Sequence, residues 1–205
     1  MTIDIGPPVQ ARQSAFRGRL ALRRISSVRL DLLSMVDPEG AKALARYKSW
    51  ADELTLRAVA ALPPGEAVRE RPTLFKSIVG TLNHSYVVDL IWQAHLEGRE
   101  HGFTARNMVP YPELEALTAA QREVNEWLLA WSAAQSAASL GEAVSFRQVS
   151  GEQGTMTRGE ILLHVVNHAT YHRGWVSDLF FQVPAKPPTT DWNVFLLTER
   201  ATPRA

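Results

Sequence analysis

The chain has 205 residues, of which 45% are hydrophobic and 21% charged, with a formal net charge of +1. This balance gives no electrostatic case for nucleic acid or an acidic membrane surface, and no apolar run approaches the about 20 residues that a membrane-spanning helix needs. Cysteine is absent, which excludes disulfides, thiolate metal ligands and a cysteine nucleophile.

Any metal must therefore be held by His, Asp or Glu, and thiol chemistry would need a thiol carried in by a small molecule. The absence of cysteine also fits a reducing compartment, and the expected location is cytoplasmic. The length suits one substantial domain with or without a tail.

Residues 1–36 differ from the rest. They carry Arg12, Arg17, Arg19, Arg23, Arg24 and Arg29 against only Asp4 and Asp31. An Arg-rich, acid-poor start can be a transit peptide, but this one lacks an apolar central stretch and a clear cleavage site. The expectation is a flexible basic leader, with Met35 as an alternative start, a short helix near 16–34 as an option, and the folded domain over 37–205.

The first helix is signalled by Asp37 as N-cap and Pro38 in the first helical position. Leu44, Tyr47, Ala51, Leu54 and Ala58 recur at three and four residues, and Pro63, Pro64 and Gly65 stop the helix. A second helix is expected from about Pro72 to Gly98, with Ser77, Thr81, His84, Val88, Ile91 and His95 on one stripe. The loop "REHGFTARNMVPYP" follows. A third helix spans roughly 113–138, burying Leu117, Val124, Trp127, Leu128 and Trp131. The segment "GEAVSFRQVSGEQG" alternates weakly and reads as a short hairpin-like excursion.

Thr157 and Glu160 form a T-x-x-E capping box before "ILLHVVNHATYHRGWVSDLFF". Ile161, Val165, His168, His172, Val176 and Leu179 make a regular seam on this fourth helix. A last short helix begins at Asp191. Long amphipathic helices with short connections predict an all-α four-helix bundle, antiparallel on loop length alone.

His168 and His172 are four residues apart, so their side chains lie on one helix face about 5–6 Å apart at Cβ. Two imidazoles there can grip one ion. His84 sits mid-stripe on the second helix and offers a third donor, giving a facial set with open positions. The bland alternative is a set of hydrogen-bonded core histidines, which an H-x-x-x-H pair alone cannot exclude. His164 lies off the seam, about 12 Å along the axis from His172, and is expected to pack beside the site. His95 reads as a helix-end residue and His101 as a loop residue.

Asp89 is a candidate acceptor behind a ligand or an ordinary polar contact. Asn83 and Asn167 are candidates for interhelical hydrogen bonds. Arg173 is placed either on an anionic substrate or over the bundle end. Gly174 points to close helix packing, and Trp92 and Trp175 are candidate pocket walls.

The stretches "TLNHSYVVDLIW" and "LLHVVNHATYHRGWV", with "LARYKSWADELTLRAVAALPPGE" before them and "PPTTDWNVFLL" after, resemble the DinB family (DinB/YfiT-like metalloenzymes) over about 37–199. The resemblance implies an up-down-down-up order of the four helices in place of the antiparallel one. It implies a homodimer and a divalent metal, Zn²⁺ or Ni²⁺, on His84, His168 and His172. A Gln often follows H-R-G in the family; Trp175 stands here and is expected to alter the pocket wall or a nearby hydrogen bond. The family includes thiol S-transferases using bacillithiol and isomerases using mycothiol, and takes its name from damage-inducible expression. The expected function is metal-dependent thiol S-transfer with a small-molecule thiol co-substrate. The alternatives are metal-dependent hydrolysis, with Asp89 or Glu160 as candidate base, and non-catalytic, stress-related metal binding.

Overall fold

A computed structural model of the chain describes residues 35–201. The basic leader and the optional helix at 16–34 lie outside the described residues, except for Met35 and Val36.

The fold is mostly helical, with one small sheet. Helix α1 is Pro38–Ala60, α2 Ile78–Leu96, α3 Leu114–Ala133 and α4 Ala137–Leu140; strands β1 (Ala143–Arg147) and β2 (Gln153–Thr157) follow, then α5 (Arg158–Phe180) and α6 (Trp192–Ala201). Helix α1 packs mainly on α3 and α5, and α2 on α5 and α3. Among the described residues, no helix is long and apolar enough to cross a membrane.

The α1 start is as the sequence predicts: the Asp37 side chain accepts from the Gly40 N–H and Pro38 opens the helix. Its buried face takes in Tyr47 and Ala51 of the expected stripe but is centred elsewhere. It follows Ala41, Ala45, Lys48, Asp52, Thr55 and Val59, while Leu44, Leu54 and Ala58 are half-buried. The difference has an electrostatic reason, because Lys48 and Asp52 are turned inward to meet charges from other helices.

Helix α2 starts later than the expected Pro72. Ser77 caps it, with its side chain accepting from the Gly80 N–H at 2.9 Å. The preceding turn includes Lys76 at φ +67°, a left-handed backbone that interrupts any continuous helix. Gly80 is required here: a Cβ at that position would fall 2.0 Å from the Phe75 carbonyl oxygen. Helix α3 ends at Ala133 rather than near 138, and a separate turn, α4, is capped by Ser136 and Ser139 reciprocally.

The excursion at 141–154 is a true antiparallel hairpin, so the fold is not purely α. Phe146 pairs with Gly154, and its ring lies over that glycine, where a Cβ would come within 2.5 Å of Cζ. Phe146 also packs edge-on to Trp92 at 5.0 Å, which fastens the hairpin to α2. The Thr157–Glu160 capping box is formed in both directions and carries the chain from β2 directly into α5.

The largest hydrophobic cluster gathers Ala45, Ala51, Val88, Leu128, Ile161, Leu162 and Val165 from all four long helices. Within it lies a network of charges. Lys48 Nζ donates to Asp52 at 2.8 Å, Asp89 at 2.6 Å and Asn125 at 3.0 Å. Arg173 donates to the other Asp52 oxygen at 2.9 Å, and Gln121 to Asp89 at 2.9 Å. Burial disfavours the Lys48 ammonium, but Asp52 and Asp89 outweigh it and its pKa is raised. Burial also disfavours the Asp52 carboxylate, yet Lys48 and Arg173 hold its pKa below the ordinary value.

Candidate metal centre

The site is built where α2 meets α5. His84 occupies the second turn of α2, and His168 and His172 occupy successive turns of α5. One ligand atom from each of the three lies within 4.8 Å of the others. The Nε2 atoms of His84 and His172 face each other at 3.1 Å. Two nitrogens on one tetrahedral zinc, at about 2.0–2.1 Å each, would stand about 3.3 Å apart. The pair is therefore already at the spacing of a shared ion.

The tautomer of His84 is set by its surroundings. Its Nδ1–H donates to the Arg106 carbonyl at 2.8 Å, because a carbonyl can only accept. In the neutral ring, Nε2 is then a lone pair directed at His172. Such a backing hydrogen bond orients an imidazole for metal binding and fixes which nitrogen ligates. The residue before His84 anchors the same connection further along. Asn83 donates to the Tyr111 carbonyl at 2.7 Å and accepts from the Tyr111 N–H at 3.0 Å, pinning the connection between α2 and α3 against α2.

The electrostatics favour the ligating form. Burial, then the charges of His172 and His84, push His168 down to about 3. Burial and then His84 push His172 down to about 4. Burial likewise lowers His84, aided by the charge of Arg106 and opposed by the carbonyl hydrogen bond. All three rings are thus neutral bases at neutral pH. Nδ1 of His168 and Nδ1 of His172 are buried without a partner among the protein atoms. Three neutral imidazoles converging on one point fit a borderline divalent cation such as Zn²⁺ or Ni²⁺.

Aromatic rings close one side. Phe75 stacks on His84 at 4.2 Å and 15°, and Trp175 lies 5.1 Å from His172 and 5.8 Å from Phe75. Trp175 is therefore a wall of the site, as its place after H-R-G suggested. On the other side His168 borders a cavity of about 180 Å³ that also touches Trp92, His95, Arg106, Phe146 and His164. His164 packs edge-on to Trp92 at 4.9 Å and stays outside the triad. His95, in the last turn of α2, meets His101 of the following connection at 5.4 Å.

Several expectations are corrected. Asp89 touches no histidine; its pKa is raised by burial against the pull of Lys48, and it belongs to the charge network. Glu160 is spent on the capping box, accepting from the Thr157 N–H at 2.6 Å. Neither carboxylate serves as a base at the triad. Arg173 is neither a substrate contact nor a cover on the bundle end, because it is buried against Asp52 and Thr170. Asn83 bonds a connecting segment and not another helix, while Asn167 is exposed. Gly174 is exposed, and a Cβ there would meet nothing within 4 Å, so close packing does not explain it.

Sequence reasoning missed Phe75, the Arg106 carbonyl and Lys48. Phe75 and Arg106 lie in the irregular segments before and after α2. Lys48 had a readable signal: it sits four residues before Asp52, on the face that Ala41 and Ala45 begin.

The protein "Protein DinB" of Bacillus subtilis (strain 168) is 28% identical over 169 residues, 77% of this chain and 96% of that protein. The crystal structure of a DinB-like protein from Bacillus cereus ATCC 10987 has the same fold, with a TM-score of 0.54 at 20% identity, covering 74% of this chain and 95% of that one. The profile of the DinB family matches residues 35–203, and the chain is a member of that family.

Proposed function

We propose that this protein is a metal-dependent thiol S-transferase, with His84, His168 and His172 holding one zinc or nickel ion at the centre of an up-down-down-up four-helix bundle. The observation that carries this reading is the 3.1 Å approach of two neutral imidazole nitrogens, beside a third on the same side of the helix pair. An ion held by these three residues would supply the Lewis acidity that favours the thiolate form of a thiol at neutral pH. The chain's own residues do the rest. The Arg106 carbonyl holds His84 in the ligating tautomer, and Phe75 and Trp175 keep water from one face of the triad. In the transfer the thiol sulfur bonds to an electrophilic carbon, the leaving group departs with the bonding pair, and the thiol proton goes to solvent. The absence of cysteine fits a thiol supplied by a co-substrate.

The test is metal content by mass spectrometry on protein purified without a metal-binding tag. Wild type and His164→Ala are expected to carry about one ion per chain, and His84→Ala, His168→Ala and His172→Ala to lose it. Adding a small-molecule thiol to the loaded protein should then release about one proton per chain at neutral pH. Retention of metal by the triad variants would remove the centre, and no proton release would remove the thiol chemistry.

A further inference from the structure

The cavity beside His168 is not needed to hold an ion, and its chemistry is asymmetric. Its floor is apolar, made by Ile91, Trp92 and Phe146. Its polar lining is entirely basic or neutral: Arg106 and Arg147 join three imidazoles and Gln148, and no carboxylate lines it. Both arginines are exposed at the rim. Neither guanidinium has a carboxylate partner among the described residues, whereas Arg57, Arg71, Arg122 and Arg173 are all paired. Arg106 cannot drift away, because its own carbonyl is bonded to His84. Arg147 ends β1 opposite Gln153, one residue after the Phe146 that fastens the hairpin to Trp92. Two elements distant in sequence thus bring unneutralised cations to one apolar cavity adjoining the triad.

We propose that this cavity seats the second substrate, a small organic anion whose apolar body rests on Trp92 and Phe146 and whose carboxylate faces Arg106 and Arg147. The inference builds on the thiol-transfer reading by naming the chemical class of the acceptor. A volume of about 180 Å³ is below the roughly 300–1,000 Å³ of drug-sized sites, which limits the occupant to a compact acid. The planar, five-donor guanidinium suits a carboxylate better than an ammonium would.

The test is calorimetric binding of phenylacetate and its uncharged isostere phenylacetamide to the full chain, with and without zinc. Wild type is expected to bind phenylacetate about tenfold more tightly, the worth of one charge-assisted hydrogen bond. The double variant Arg106→Ala/Arg147→Ala is expected to lose that preference, and Arg147→Ala alone to weaken it at unchanged zinc content. Equal binding of the two compounds, or binding of neither, overturns the proposal. A preference that survives in the double variant and requires zinc also overturns it, because the ion and not the arginines would hold the carboxylate. An arginine-dependent preference in zinc-free protein supports the anion seat even if thiol-induced proton release fails, so the two readings fail separately.

Discussion

At the scale of single residues, the three imidazoles are held as neutral bases, and this has a sign. The folded-state values of His168 and His172 lie near 3 and 4, against 6.5 for a free histidine. The unfolded chain therefore binds protons first as the pH falls. Metal-free protein is expected to have a constant contribution from these groups above pH 6.5 and to lose stability between pH 6.5 and about 3. Urea titrations across that range measure it; a stability that rises on acidification would contradict the burial described. The same depression should let the loaded protein keep its ion through pH 6 and release it only near pH 4, as equilibrium dialysis would show. How far this site was legible follows from the same residues. Spacing placed His168 and His172 on one face, and stripe position singled out His84 and set His164 aside. What spacing could not give was the tautomer, because the Arg106 carbonyl that fixes it arrives through an irregular connection.

At the scale of elements, the two glycines near the site behave oppositely. Gly80 lets the first turn of α2 lie against the Phe75 carbonyl, and Phe75 in turn stacks on His84. Gly80→Ala forces that backbone outward; a loss on the order of 1–3 kcal/mol is expected, together with weaker metal binding. Gly174 has open space around it, so Gly174→Ala is expected to stabilise α5 by about 0.5–1 kcal/mol through helix propensity and chain entropy. Thermal unfolding of both variants checks the contrast. The capping signals at Asp37, Thr157 and Glu160 were readable because a cap is a local arrangement of a few residues. The start of α2 was not, since the left-handed Lys76 and the Ser77 cap override an apolar pattern that runs on through Leu74 and Phe75.

At the scale of the whole molecule, the pairing of α1 with α3 and of α2 with α5 was beyond any local pattern, because it depends on partners far apart in sequence. The charge network records that pairing in residues: Lys48 and Asp52 from α1, Asp89 from α2, Gln121 and Asn125 from α3, and Arg173 from α5. Lys48→Met leaves Asp52 with only Arg173 and leaves Asp89 with only the Gln121 amide. A loss of about 3–5 kcal/mol is expected, measurable as a drop in the urea midpoint at unchanged slope.

The same network constrains how this protein can change over generations. Buried ion pairs replaced all at once by well-packed apolar residues often leave a core as stable or more so. A single step such as Lys48→Met leaves Asp89 buried without its cation, a heavy loss for a domain with only about 5–15 kcal/mol of total stability. Drift can therefore rewrite the exposed helix faces more freely than these interior charges, which form a lock that is hard to open one substitution at a time.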